Sequence, residues 1–492
     1  MLGRPRVLAL VTLSGAFAFA CSASSPTPNR SGGIAGDGAV AGVVGVAAAS
    51  GSAGSSGSIG TSGSTSGGAA GSVGGNPSGG ASAGATGSAG VSGTGVGGGA
   101  GVAGASGFSG AAGVAGNGGG GLAGTSGNAG GAGASGGSPG PHFGMGGPFT
   151  FPQSKKPGYC TLTTASGASA SAQAAYNFWK TTYVTATGAG SGLRVQRPDN
   201  GNDTVSEGIG YGMIAAVYLA DKPTFDGLWA YAIAHFDPSG LMNWQINPGG
   251  TVESTGSATD ADEDMAWALI QASDQWSDAS YFDAAKLLIN AMKSKSIAAD
   301  GMLRPGDGWG SASTTTYPDY FSPAYFRVFA EATGDMAWAT TIIDRNYAIL
   351  SDVTGEYGLV PNSSSSTSQF NGNYGYDATR TPWRMGMDYC FNGEMRAKAY
   401  LDKISAFFAG LGAVTNIGDG YDPSTGNKVS SNANMAFIGP AGVSGMDGQQ
   451  TLLDNAFSYG ATNNGGTANY FAQSLRVITM LMMSGNLLDY TK

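Results

Sequence analysis

Residues 258–276 of the chain read ATDADEDMAWALIQASDQW. The stretch opens with four acidic residues, Asp260, Asp262, Glu263 and Asp264. Apolar residues then recur at intervals of three and four, which predicts a helix that begins with its acids. Thr259 or Asp260 can cap this helix, and acids there suit the positive end of its dipole. Four acids exceed what a cap needs, so we predict that at least one points into a polar pocket.

The D-x-D-x-D opening of this stretch is also how an EF-hand calcium loop begins. Such a loop needs Gly at its sixth position and Glu at its twelfth, where this chain has Met265 and Gln271. A calcium loop is therefore excluded. His142 and His235 are the only histidines, and no cluster of His and Cys offers metal ligands. We expect neither a metal nor a cofactor in the reaction.

A second acidic motif, SEGIGYGM, covers residues 206–213. Glu207 falls at a predicted helix start, and three glycines follow it at alternate positions. Each glycine costs a helix about 1 kcal/mol relative to Ala, so a neighbouring helix or a ligand must gain from close approach there. Glu207 is then either a partly buried acid or a first-turn residue that complements the helix dipole.

A third motif, YGYDATRTPWRMGMDY, covers residues 374–389. Asp377 precedes a helix in which Pro382 suits the first turn. Arg380 is close enough to pair with Asp377. The pair is either structural or a means of keeping the carboxylate ionised as a base.

The segments around these motifs show helical spacing, and alternating strand patterns are scarce. The predicted helices cover residues 169–184, 205–220, 224–236, 260–276, 280–292, 323–332, 335–351, 381–410 and 468–483. They come in pairs of similar length, with polar and aromatic clusters at their starts. We therefore predict an all-α toroid of paired helices with a site at one end.

Glycine divides the chain into two parts. Between residues 31 and 140, 44 of 110 residues are Gly, Asp37 is the only charged residue and Phe108 the only aromatic one, so no core can form there. Arg4, Arg6 and the apolar run that follows them resemble a secretory signal. We predict a signal peptide over residues 1–20, a disordered Gly/Ala/Ser-rich spacer over 21–148 and a catalytic domain over 149–492.

The cysteines bear on localisation. Residues 18–21, Ala-Phe-Ala-Cys, resemble a bacterial lipoprotein processing box, which would place a diacylglycerol anchor on Cys21; the alternative is ordinary export. We expect an extracellular or cell-surface lipoprotein. Cys160 and Cys390 are an even pair in an exported domain, and either a disulfide or two buried thiols fits them.

Charge limits the partners. The formal net charge is −9, and basic residues are not clustered. Nucleic acid is therefore not expected as a partner, nor a membrane other than through Cys21. We expect a monomer.

The three motifs together resemble glycoside hydrolase family 8, whose signature is met at every position from Ala258 to Trp276. The resemblance extends over residues 150–492. It implies an (α/α)6 barrel that cleaves internal β-1,4 links of polysaccharides with inversion at the anomeric carbon. Glu207 would be the general acid, Asp377 the general base, and Asp260 would hold the distorted sugar ring at the cleavage point.

The resemblance also implies substrate-binding residues. Arg380 and Tyr320 would orient the base, Tyr376 would contact substrate beside it, and Trp244 and Trp309 match stacking positions for sugar rings. An acid must keep its proton and a base must lose it.

The expected chemistry sets two pKa directions. We expect a raised pKa for Glu207 in a Gly-rich wall and a lowered pKa for Asp377 beside Arg380. The predicted activity is endo-β-1,4-glucanase. The alternatives are xylanase, mixed-linkage glucanase or chitosanase activity on the same fold and, in other classes, a non-catalytic glycan-binding protein or a structural envelope protein.

Overall fold

The computed structural model describes residues 143–467 and 469–492. The predicted signal peptide, Cys21 and the spacer up to residue 142 lie outside the described residues. Within the described part, six helices are buried over nearly their whole surface. These inner helices are α2 Ser206–Tyr218, α4 Thr259–Gln275, α6 Pro323–Thr333, α8 Thr381–Asn392, α10 Met435–Ser444 and α12 Tyr470–Met483.

Six other helices alternate with these along the chain and bury only one face. They are α1 Ala168–Tyr183, α3 Lys222–Ala234, α5 Ala279–Lys295, α7 Ile343–Val353, α9 Met395–Gly410 and α11 Gln450–Thr462. A helix that is buried all round belongs inside a bundle, and one with a single apolar face belongs on its outside. The alternation therefore defines an inner and an outer layer.

The inner helices form a ring. Helix α2 packs against α4, α6 against α8, α8 against α10, α10 against α12, and α12 returns to α2, while α5 contacts both α4 and α6. Five outer helices, α3, α5, α7, α9 and α11, each reverse the chain direction between two inner ones, so all six inner helices begin at the same end. This is an (α/α)6 barrel, and the predicted fold class is confirmed.

One helix prediction was wrong, and two helices were not predicted. The predicted helix over residues 381–410 is two helices, because Gly393 adopts a left-handed conformation (φ +68°) that ends α8 and turns the chain into α9. Helix α10 was not predicted, since Gly439, Pro440 and Gly442 interrupt its pattern. Helix α11 was also not predicted.

Strands are short, as expected. They are β1 Val184–Thr185, β2 Arg194–Val195, β3 Thr204–Val205, β4 Gln245–Ile246, β5 Val252–Ser254, β6 Thr315–Thr316, β7 Ser364–Ser365, β8 Gly420–Tyr421 and β9 Lys428–Ser430, and every pairing between them is antiparallel. The sheet β3–β4–β5 joins the segment before α2 to the one before α4. It therefore helps to fix the starts of two inner helices.

The first described residues lie against the end of the barrel at which α4 finishes. The backbone N–H groups of Met145 and Gly146 donate to Asp274 at 3.1 and 3.2 Å, and that of Phe149 donates to Gln275. Residues 143–148, which the sequence analysis assigned to the spacer, thus contact the carboxyl end of α4. Because α4 has 17 residues, this attachment point lies about 25 Å from the start of the helix.

Cys160 and Cys390 form a disulfide with a Cα–Cα distance of 4.9 Å, which settles the alternative that the sequence left open. It links the segment before α1 to α8. Within the described residues, no helix is both long and apolar enough to cross a lipid bilayer.

Removing this disulfide is expected to lower the free energy of unfolding by about 2–5 kcal/mol, because it closes a long loop in the unfolded chain. Two cysteines 230 residues apart are involved. The measurement is denaturant unfolding of the protein and of a Cys160→Ser, Cys390→Ser double variant. A reductant should destabilise the parent and leave the double variant unchanged; equal stability of the two proteins would contradict the expectation.

Candidate active site

Acidic residues gather where the inner helices begin. Glu207 and Asp260 are the second residues of α2 and α4. Asp319 lies in the 3-10 turn Pro318–Tyr320 before α6, and Asp377 directly precedes the turn Ala378–Arg380 before α8. Since helix N-termini carry partial positive charge, this end of the barrel favours anionic groups.

One buried guanidinium group joins the four carboxylates. Arg380 Nη1 lies 2.7 Å from Glu207 Oε2 and 2.6 Å from Asp260 Oδ2. Its Nη2 lies 2.5 Å from Asp319 Oδ2 and 3.7 Å from Asp377 Oδ1. The structure thus brings all three sequence-predicted carboxylates to one group, and it adds a fourth.

The four carboxylates differ in exposure. The Glu207 and Asp377 side chains are 17% and 15% exposed, whereas those of Asp260 and Asp319 are 3% and 0% exposed. Only the first two are therefore open enough to exchange a proton with a bound molecule or with water. The other two anchor Arg380.

Burial raises the pKa of Glu207 to about 7, and the nearby Arg380 only partly offsets this effect. The raised pKa agrees with the expectation from the sequence. The hydroxyl group of Tyr470, at the start of α12, donates to Glu207 Oε1 at 3.3 Å. Arg380 donates to the other oxygen, so both carboxyl oxygens of Glu207 accept a hydrogen bond.

The expectation of a lowered pKa for Asp377 is wrong. Burial and the charge of Asp260 outweigh the lowering by Arg380, so that the pKa of Asp377 is raised to about 6. Sequence proximity suggested that Arg380 belongs to Asp377 alone. In the structure the guanidinium group lies closer to Glu207, Asp260 and Asp319.

Sequence reasoning missed Asp319 and Tyr470. Asp319 lies in the segment PDYFSPAYFRVF, residues 318–329, and like Asp377 it comes just ahead of a predicted helix. That position was the available signal. Tyr470 is at the edge of an apolar helix, and nothing in its sequence neighbourhood distinguishes it from a core aromatic residue.

An aromatic hollow lies beside the carboxylate cluster. It is lined by Trp244, Ser257, Ala258, Pro305, Trp309, Tyr317 and Tyr320. Trp244 and Trp309 are half-buried, and the Tyr320 ring also faces the Arg380 guanidinium group at 5.4 Å. The predicted stacking residues are thus brought together next to the charged cluster. Flat apolar rings of this kind suit the C–H faces of sugars.

Tyr376 directly precedes Asp377 in the chain. Its hydroxyl group donates to Asp419 at 2.8 Å, and its ring packs edge-on against Phe437 and Phe471. Because the hydroxyl group is engaged, the half-buried ring is the part that can meet a ligand.

The remaining acids of α4 support the site from within. Asp264 forms a fully buried ion pair with Arg384, at 2.5 Å. Burial raises the pKa values of Asp262 and Glu263 well above their usual range. The predicted cap is wrong: α4 has no side-chain cap, and the Thr259 hydroxyl group donates to the carbonyl of Arg304.

The three glycines of α2 serve different neighbours. A Cβ at Gly208 would lie 2.6 Å from the hydroxyl oxygen of Tyr470, which contacts Glu207. A Cβ at Gly210 would lie 2.9 Å from Asp264 Cβ, and one at Gly212 would lie 2.6 Å from Leu228 Cδ1. Close approach of neighbouring side chains therefore explains all three, and only Gly208 bears on the acid.

Within residues 143–467 and 469–492, no group of three or more His, Cys, Asp or Glu side chains is arranged to hold a metal ion. A barrel of paired helices with two accessible carboxyl groups beside an aromatic hollow defines a glycoside hydrolase. The chain belongs to the glycosyl hydrolases family 8, whose family model matches residues 149–485.

Comparisons with individual proteins agree with this assignment. Endoglucanase A of Acetivibrio thermocellus is 39% identical over 332 residues, which cover 64% of this chain and 69% of the relative. A Beta-glucanase of Niallia circulans is 34% identical over 66% of this chain and 87% of its own. The solved apo structure of a Beta-1,3-1,4-glucanase from Paenibacillus sp. X4 is similar with a TM-score of 0.64, at 31% identity, over 68% of this chain and 98% of that one.

Proposed function

We propose that this enzyme is an endo-acting hydrolase of β-1,4-linked polysaccharide, with β-1,4-glucan as its main substrate. The observation that carries the proposal is the pair of accessible carboxyl groups, Glu207 and Asp377, on one buried guanidinium group beside an aromatic hollow. The similarity to Endoglucanase A supports glucan as the substrate.

In the proposed reaction the protonated Glu207 donates to the glycosidic oxygen as the bond to the anomeric carbon breaks. The ionised Asp377 removes a proton from water, which attacks that carbon from the opposite face. Each turnover leaves Glu207 ionised and Asp377 protonated, and exchange with solvent restores both. General acids and bases of this kind contribute about 10²–10⁴-fold each.

The geometry is compatible with inversion. Glu207 and Asp377 contact different nitrogens of one planar group, at 2.7 and 3.7 Å. Their nearest oxygens can thus be at most about 9 Å apart, a limit that accommodates the roughly 6.5–9.5 Å of inverting enzymes. Asp260 pairs with Arg380 through Oδ2, and we assign the contact with the sugar ring at the cleavage point to its Oδ1, which has no hydrogen-bond partner among the described residues. Arg380 and Tyr320 are assigned to position the base.

The pKa values lead to a pH prediction. Asp377 must be ionised, so kcat/KM should rise with pH around its pKa of about 6. Glu207 must keep its proton, so kcat/KM should fall as pH rises through its pKa of about 7. Initial rates at low substrate concentration should therefore give a narrow bell with its optimum between these values. A flat profile over this range would contradict the assignment.

The test of substrate class is the release of reducing sugar from carboxymethyl-cellulose, barley β-glucan, xylan and chitosan side by side. We expect the first two to be cleaved fastest, because the relatives described above act on glucans by name. Faster cleavage of xylan or chitosan would overturn glucan as the main substrate. The similarity to the Paenibacillus enzyme favours the mixed-linkage alternative. Faster cleavage of barley β-glucan than of carboxymethyl-cellulose would support that alternative.

NMR of fresh products tests the stereochemistry. An inverting enzyme acting on a β-linkage releases the α-anomer first. A β-anomer burst would rule out the proposed mechanism and leave the family membership untouched.

We further propose that the enzyme is exported and held at the cell surface by a lipid on Cys21, with residues 1–20 removed and a low-complexity spacer before the catalytic domain. The Cys160–Cys390 disulfide supports an oxidising location. Metabolic labelling with a radioactive fatty acid should mark the parent protein and not a Cys21→Ala variant. Equal labelling of both would contradict the anchor.

Size-exclusion chromatography with light scattering tests the expected monomer.

A further inference from the structure

Two carboxyl groups outside the catalytic cluster meet beside the aromatic hollow. Asp237 follows α3, and Asp307 begins the turn Asp307–Trp309. The Ser239 hydroxyl oxygen lies 2.5 Å from Asp237 Oδ1 and 2.9 Å from Asp307 Oδ2. A hydroxyl group has one proton and can donate it to only one of these oxygens. A proton on one of the two carboxyl groups completes the network.

The surroundings assign that proton to Asp237. Burial and the hydrogen bond with Asp307 raise the pKa of Asp237. Burial alone would raise the pKa of Asp307, but hydrogen bonds from Asp237, from the Ser257 N–H and from Ser239 lower it. Among the described residues, the further acid that faces the pair is Asp262, and burial raises its pKa well above the usual range. Asp237 is therefore the donor and Asp307 the acceptor.

Asp307 also positions the loops that carry Trp244 and Trp309, two residues of the aromatic hollow. Its Oδ1 accepts the Ser257 N–H at 2.7 Å, and Trp309 follows it two residues later. The backbone N–H of Trp244 donates to the carbonyl of Gly256, the neighbour of Ser257, at 2.8 Å. Both tryptophans are thus tied to the same carboxylate.

We infer that Asp237 and Asp307 form a proton-dependent clamp that positions Trp244 and Trp309 against the bound polysaccharide. They are positioning residues for binding and take no part in bond cleavage. The inference rests on the proposed function, since it takes the hollow as a site for glucose rings. Loss of the shared proton leaves negative charges on both Asp237 and Asp307. The two charges repel each other, and Trp244 and Trp309 are then held less firmly in position.

The experiment measures kcat and KM for a soluble cello-oligosaccharide of six glucose units from acid to mildly alkaline pH. The Asp307→Ala variant should show a KM raised roughly 3- to 10-fold, the scale of a lost aromatic contact, and a kcat within about two-fold of the parent. The Trp309→Ala variant gives the KM of an enzyme that lacks one ring of the aromatic hollow. Asp283→Asn, on the exposed face of α5, is the matched control.

The conservative variant separates the clamp from a merely structural role. In Asp237→Asn the amide N–H donates to Asp307 at every pH. The parent's KM should rise as the shared proton is lost, whereas the KM of Asp237→Asn should stay low over the same range. This readout holds even where Asp307→Ala fails to fold.

Two results would overturn the clamp while leaving the proposed function in place. One is an unchanged KM in a folded Asp307→Ala variant when Trp309→Ala raises it. The other is a KM of Asp237→Asn that varies with pH as in the parent. An unchanged KM in Trp309→Ala would instead show that the aromatic hollow does not contact the substrate. That result would reject both the proposed substrate contact and the clamp.

Discussion

Replacing Glu207 with Gln is expected to lower kcat on β-1,4-glucan by about 100-fold or more, because an amide cannot supply the proton that the leaving sugar needs. The fold should persist, since Gln keeps the size of the side chain and can still accept from Arg380. The measurement is turnover on the soluble glucan together with substrate affinity. Affinity should change little.

Two controls make this result specific to proton donation. Glu356→Gln alters an exposed glutamate and should behave like the parent. A dinitrophenyl cello-oligosaccharide carries a leaving group that needs no proton, so Glu207→Gln should retain far more activity on it. Near-normal turnover of the glucan, or equal losses on both substrates, would show that Glu207 is not the acid.

Replacing Asp377 with Asn is expected to lower kcat by about 10²–10⁴-fold, because the attacking water then has no base. The rising limb of the pH profile should disappear, since it reports ionisation of Asp377. Azide, a nucleophile that needs no deprotonation, should restore part of the turnover as it occupies the place of the water.

Asp319→Asn is the informative comparison for this variant. Asp319 contacts the same guanidinium group but is fully buried, so it cannot reach a water molecule in the cleft. We expect Asp319→Asn to change the pH profile by shifting the charge around Arg380 and to show no recovery with azide. Recovery in Asp319→Asn and none in Asp377→Asn would transfer the role of base to Asp319.

The sequence could predict most of the fold, because the inner helices carry strong motifs at their starts. It could not predict α10, whose glycines look like helix breakers when taken alone. A Cβ at Gly439 would lie 2.4 Å from Thr479 Oγ1, so the glycine exists for contact between α10 and α12. That reason is visible only when two distant segments are seen together.

The site shows the same limit. The motifs identified Glu207, Asp260 and Asp377 by type and position, and the structure places all three on Arg380. The pKa of Asp377 could not be predicted, because its sign depends on burial and on which other carboxylates share the arginine. Asp319 was missed, since a single acid before a helix is common and only the assembled ring of helices brings it to Arg380.

The attachment of residues 145–149 at the carboxyl end of α4 has a consequence for how the enzyme meets its substrate. These residues lie at one end of the barrel, and the carboxylates lie at the other. A long polymer can therefore lie across the carboxylates without meeting the residues at the opposite end of the barrel.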